Sequence, residues 1–235
     1  MDDKEKKGVS SKFILPDLAI LDPLLTTNLP ANITASTGID AMVHAIEAFT
    51  SINSNNNPVS KMLSIEALKL LGSSIKTAVF DGHNINARSN MLLGSMLAGK
   101  AFANSPVAAV HALAYPIGGL FNISHGLSNS LVLPSVMKFN SKNEETKKNY
   151  AHLAPYVFKN LDNSKNDEFL CNNFIDGLER LCKELNLPYR LRDLEIPEEA
   201  CKLMASEAMK QTRLLVNNPR KIEESDAFNI YKSVW

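Results

Sequence analysis

The chemistry of this sequence starts with two side chains four residues apart, Asp40 and His44, in the stretch Gly38-Ile-Asp-Ala-Met-Val-His-Ala-Ile-Glu47. On an α-helix, residues i and i+4 lie one above the other on the same face, so a carboxylate and an imidazole at this spacing can converge on one cation. Two more imidazoles, His111 and His125, lie in a second unusual stretch, from His111-Ala-Leu-Ala-Tyr115-Pro-Ile-Gly118-Gly119 to His125-Gly126. One carboxylate and three neutral imidazoles suit a first-row divalent ion such as iron or zinc, bound at about 2.0–2.2 Å. They would leave that ion a net charge of about +1, enough to act as a Lewis acid on an alcohol or carbonyl oxygen. Four protein ligands leave an open position only if coordination expands beyond tetrahedral, which suits iron better than a closed structural zinc site.

Unbroken helix would hold His111 and His125 ~21 Å apart, so the chain between them must double back. Pro116, Gly118, Gly119 and Asn122 supply the means, and Pro116 with Gly118-Gly119 is expected to close the helix that carries His111. The residues by themselves leave two readings open, a shared metal site or histidines that each find another buried partner. Glu47, three residues after His44, is equally open between steadying a ligand histidine and serving as a solvated or helix-capping carboxylate. His83 and His152 read as surface histidines.

The elements that must position these groups are nearly all helical. Helical patterns cover Ala31–Phe49, where Gly38 is a point of division, and Asn86–Phe102. Between them, a helix opened by Pro58 presents Met62, Ile65, Leu68, Leu70, Leu71 and Ile75 as its apolar face. A short Ala-rich helix carries His111, and Ser128–Phe139 forms another, with room for a kink at Pro134. Residues 142–166 hold an amphipathic helix and an exposed turn at Asp162–Asn166. Glu168–Leu185 is strongly amphipathic through Leu170, Phe174, Leu178 and Leu181. Pro197 opens a further helix, and Glu224–Ser233 closes the chain. Residues 9–28, punctuated by Pro16 and Pro23, read as one or two short strands or an extended connector.

Composition narrows the function classes. A hydrophobic fraction of 45% in 235 residues supports a sizeable core. Lys plus Arg equals Asp plus Glu at 25 each, which gives no electrostatic footprint for nucleic acid or an anionic membrane. No apolar run reaches the ~18 residues of a membrane span, and the charged start Met1–Gly8 reads as no secretory signal. The cysteines, Cys171, Cys182 and Cys201, form no Cys-x-x-Cys pair. Cys171 and Cys182 on one helix would be ~16 Å apart, too far to bridge. Buried reduced thiols in a cytoplasmic compartment are expected.

Thr37-Gly-Ile-Asp40-Ala-Met-Val-His44-Ala-Ile-Glu47, and the stretch from His111 through His125-Gly126-Leu-Ser-Asn129, resemble the two signatures of the iron-containing (group III) alcohol dehydrogenases. The lead-in Pro16-Asp-Leu-Ala-Ile-Leu-Asp22-Pro23 and the late Asn218-Pro219-Arg220 are similar to that family as well. The resemblance implies that Asp40, His44, His111 and His125 bind the metal, Fe2+ or alternatively Zn2+. It implies an all-α, multi-helix C-terminal domain of the dehydroquinate-synthase-like fold. The implied reaction is NAD(P)-dependent interconversion of an alcohol and an aldehyde or ketone. Phe102 falls where the family has a residue near the substrate, though a core aromatic is an equal reading.

Two departures qualify that expectation. Where several family members carry a further histidine near the nicotinamide and the proton path, this sequence has Tyr115 as the candidate catalytic group; a phenol with a pKa of ~10 is a poorer proton shuttle at neutral pH. The family's Gly-rich dinucleotide-binding turn has no counterpart among the ten scattered glycines. Residues 1–28 are therefore expected to be a remnant or connector of a dinucleotide-binding domain, and residues 29–235 the helical metal-binding domain. The isolated chain is expected to turn over poorly unless a separate nucleotide-binding chain completes it. The alternative is a non-catalytic or partner-dependent metal-binding module, and an apolar face left bare would favour a homo-oligomer.

Overall fold

Almost every side of the first long helix is buried, and the other elements pack around it. The computed structural model describes residues 11–162 and 164–235, which hold ten α-helices, three short 3-10 turns and no strand. Helix α1 spans Ala31–Thr50, and its buried side chains run right around it, from Ala35, Ile39 and Met42 to Val43, Ile46 and Phe49. A helix buried on nearly every side belongs in the middle of a fold. It packs against α2 (Pro58–Phe80), α3 (Ile85–Asn104) and α5 (His125–Asn140). Helix α4 (Ala109–Phe121) lies against α5 and α8 (Ala200–Met209), while α6 (Glu144–Val157) pairs with α7 (Asp167–Glu184). The short α9 (Thr212–Leu215) touches α4, and α10 (Glu224–Ser233) closes on α8 and α5. No helix among the described residues is long and apolar enough to cross a membrane.

Asparagine starts four of these helices. Asn57 accepts from the Val59 and Ser60 amides, Asn84 from Ala87, Asn143 from Thr146 and Asn166 from Phe169. Each such cap satisfies an amide that the helix cannot, and contributes about 1 kcal/mol. Helices α4 and α5 have no side-chain cap from their own N-cap residues.

Several expectations are corrected. Pro116 and Gly118-Gly119 do not close α4, which runs through them to Phe121. An interior proline costs about 3 kcal/mol and each glycine about 1. Burial of Val110, Leu113, Pro116 and Ile117 offsets that cost, and the Tyr231 hydroxyl donates to the Leu113 carbonyl at 2.6 Å. The reversal runs through Asn122–Ser124 and begins at Asn122, in the left-handed region at φ 54 and ψ 31, which asparagine tolerates better than most residues. Helix α5 likewise continues through Pro134, and Gly38 leaves α1 undivided. Met62 is exposed: it lies about 120° around α2 from Leu68, away from the face formed by Leu68, Leu71, Ile75 and Val79.

Before α1, of the two readings left open, no strand forms among the described residues; 3-10 turns at Lys12–Ile14 and Pro23–Thr26, capped by Ser11 and Asp22, are joined by irregular connecting chain. A strand needs a partner to pair with, and none stands beside this segment among the described residues. Its apolar side chains, Phe13, Ile14, Leu15, Leu18, Ile20 and Leu25, are exposed. The expected connector before Ser11 lies outside the described residues. All three cysteines are free and buried.

Candidate metal centre

Helix α1 supplies Asp40 and His44 from successive turns, α4 supplies His111 from its first turn, and α5 supplies His125 as its first residue. The turn at Asn122 folds α5 back along α4, so the two histidines meet with their rings 5.2 Å apart. Asp40 Oδ1 lies 3.9 Å from His44 Nε2, 3.7 Å from His111 Nε2 and 3.7 Å from His125 Nε2. All four donor atoms fall within 4.8 Å of one another. Bonds of 2.0–2.2 Å to one ion would bring donors to about 4.4 Å apart at most, so closure needs only a few tenths of an ångström.

The His111 Nε2 atom is buried and has no hydrogen-bond partner, although it faces the other three donors. A buried polar atom without a partner is costly, and a bound cation would satisfy it. This donor set therefore fits a divalent ion. The site is also graded in depth: side-chain exposure rises from 2% at His111 through 15% at Asp40 and 21% at His44 to 39% at His125. His111 is the floor, and the open side lies over His125.

Electrostatics favour ligation. Burial, only partly opposed by the Asp40 carboxylate, lowers the His44 imidazole to about 4, and the neighbouring His111 and His125 add to that direction. His44 is thus neutral at pH 7, as a metal ligand must be.

Two supports come from residues whose part in the site the sequence left open or missed. Glu47 is buried and accepts from the Ala108 amide at 3.0 Å and the Val110 amide at 2.6 Å, and its Oε2 lies 2.7 Å from His111 Nδ1. It thereby supplies the cap that α4 lacks, and the solvated reading is excluded. Asn129, one turn after His125, donates to Asp40 Oδ1 at 2.6 Å. Farther out, Asn217 donates to the Val107 carbonyl at 3.1 Å, and the Asn140 and Asn218 amides bond each other reciprocally at 3.0 and 2.8 Å. These bonds tie the approach to α4 and the end of α5 to the turn before α10. Their partners lie about 80 to 110 positions apart in sequence, so no local pattern could have announced them.

Phe102 packs its ring 4.7 Å from that of His44, and the Tyr115 ring lies 5.9 Å from that of His125. Both are half-buried. Burial raises the Tyr115 phenol; Arg213 opposes that direction, and Asp40 and Glu47 add to it. Tyr115 is therefore a neutral hydroxyl at pH 7. His83 and His152 are exposed and stand outside the cluster, His152 stacking on Phe49.

Residues 34–235 match the model of the Fe-containing alcohol dehydrogenase family, C-terminal. Long-chain-alcohol dehydrogenase 1 of Geobacillus thermodenitrificans is 39% identical over 98% of this chain and 57% of its own length. The 1,3-propanediol dehydrogenase of Citrobacter freundii is 36% identical over 94% of this chain and 56% of its own. Among solved structures, an archaeal halo-thermophilic alcohol dehydrogenase from a Red Sea brine pool superposes with a TM-score of 0.92, at 27% identity, over 100% of this chain and 58% of that one. A 1,3-propanediol oxidoreductase gives 0.85 at 34% identity, over 91% and 55%. The chain spans little more than half the length of these relatives.

Proposed function

The chain belongs to the Fe-containing alcohol dehydrogenase family, and from that premise we propose that it is the metal-binding catalytic part of an NAD(P)-dependent enzyme interconverting an alcohol and an aldehyde or ketone by hydride transfer. The observation that carries the proposal is the buried, unpartnered His111 Nε2 turned toward Asp40 Oδ1, with His44 and His125 beside it. Asp40, His44, His111 and His125 would hold Fe2+ or Zn2+. That ion supplies Lewis acidity toward the substrate oxygen when bound.

This chain's own residues do the rest. His111 anchors the floor, while the exposure of His125 leaves the side from which a small alcohol or carbonyl compound would approach. Phe102, packed against His44, is proposed to line the substrate's place. Tyr115 keeps its proton at neutral pH, its ring stands 5.9 Å from that of His125, and its hydroxyl is proposed to relay a proton between the site and solvent. The nicotinamide cofactor is proposed for the complete enzyme, and no residue of this chain is assigned to it. The three buried thiols fit a cytoplasmic setting.

A partner-dependent metal-binding module is the competing reading, and the exposed apolar side chains before α1 are what favour it. The exposed Phe13, Leu15, Leu18, Ile20 and Leu25 would then meet a separate nucleotide-binding chain or a second copy of this one. The test begins with anaerobic purification and elemental analysis of wild type, Asp40→Ala and His125→Ala. One equivalent of metal in wild type, lost from both variants, supports the ligand set; unchanged metal content refutes it. Nicotinamide absorbance with short alcohols, with and without an added nucleotide-binding partner, separates the two readings.

A further inference from the structure

Glu47 is the one acidic side chain buried among the described residues, at 4% exposure, and no Lys or Arg among them is paired with it. Burying a carboxylate without a cation is expensive unless donors surround it. Two backbone amides do, Ala108 N and Val110 N at 3.0 and 2.6 Å, and His111 Nδ1 stands beside them at 2.7 Å from Oε2. The two amides belong to the residue that caps α4 and to its first turn, where the helix dipole favours negative charge.

The third contact fixes more than position. An ionised carboxylate only accepts hydrogen bonds, so the atom facing Glu47 Oε2 must carry the proton. In a neutral imidazole the proton then sits on Nδ1, and Nε2 bears the free lone pair. That atom is the buried, unpartnered one aimed at Asp40 Oδ1. We propose that Glu47 is a positioning residue of the metal centre: it holds His111 as the Nδ1–H tautomer, so that Nε2 presents its lone pair to the ion, and it anchors the start of the helix that carries His111. One side chain on α1 thus sets both where the deepest ligand stands and which nitrogen it offers.

Glu47→Gln tests this with little change of shape. Its amide oxygen can still accept from one backbone N–H, but its NH2 must find an acceptor, and His111 Nδ1 is the one within reach. The substitution is therefore expected to invert the tautomer and put a proton on Nε2, where the ion would bind. The inference rests on the four-ligand reading, so Asp40→Ala is measured beside it. In metal-free wild type, 15N-detected imidazole spectra, assigned with His111→Asn, should show His111 protonated at Nδ1. Glu47→Gln should show it protonated at Nε2, and chelator competition with Zn2+ should read a dissociation constant about 10- to 100-fold higher. Nε2 protonation in wild type overturns the proposal, even if the variant does not fold. So does a folded Glu47→Gln protein that binds zinc within twofold of wild type while Asp40→Ala loses it. Retention of zinc by Asp40→Ala would instead sink the ligand set itself.

Discussion

The side-chain amide of Asn129 donates to Asp40 Oδ1 across 2.6 Å and joins α5 to α1 at the candidate metal centre. The same oxygen faces the Nε2 atoms of all three histidines. A carboxylate oxygen has two lone pairs, so Asn129 can occupy one and leave the other for an ion. Asn129→Ala removes a hydrogen bond to a charged group, worth about 1.5–3 kcal/mol, and frees Asp40 to rotate. Zinc affinity by chelator competition should fall by about tenfold or more. An unchanged dissociation constant would show that Asp40 is held by other means.

Gly126 follows His125 where α5 crosses α1 most closely. A Cβ there would stand 2.4 Å from the Ser36 carbonyl oxygen and 2.7 Å from its carbon, both backbone atoms that cannot swing aside. Gly126→Ala must therefore push the two helices apart and carry His125 away from Asp40. Overpacking of this kind costs about 1–3 kcal/mol. Urea unfolding should show that loss and metal analysis a depleted site; a variant as stable and as metal-replete as wild type would refute the close packing.

The lowered His44 value makes the metal-free protein acid-sensitive in a defined window. Unfolded, the imidazole takes up a proton near 6.5; folded, only near about 4. Between those values the unfolded state binds more protons, so stability is complete above 6.5 and declines as pH falls toward 4. The shift corresponds to a loss on the order of 3 kcal/mol. Urea midpoints of chelator-treated wild type should fall across this range, and those of His44→Asn should fall less. Equal slopes for the two proteins would count against a buried neutral His44.

Burial also silences the thiols. It pushes Cys171 up to about 11 and Cys182 up to about 12, and it raises Cys201 in the same direction. Since the thiolate is the reactive form, none of the three should react with a thiol-specific disulfide reagent at pH 8 within minutes, and all should react in denaturant. Rapid labelling of any one in the native protein would contradict its placement in the core.

Local rules sufficed wherever the signal was periodic or terminal. The 3.6-residue spacing gave α1, α7 and α10 nearly to the residue, and Asp40 and His44 were bound to share a face once α1 was helical. Local rules failed at α4, where Pro116 and two glycines argue for a break and the burial of a whole helix between α5 and α8 overrides them. Before α1 they left a strand and a connector both open, because an apolar run becomes a strand only beside a partner.

The chain's residue types and spacings therefore determined by themselves an all-helical body with a carboxylate and three imidazoles available for one ion. Only the tertiary structure decided that the four meet, through the reversal that begins at the left-handed Asn122, and how they are held. Glu47 reaches His111 across 64 positions and Asn129 reaches Asp40 across 89. Bonds of that range exist only after the helices have packed, because packing alone removes the water that would otherwise satisfy the same polar groups.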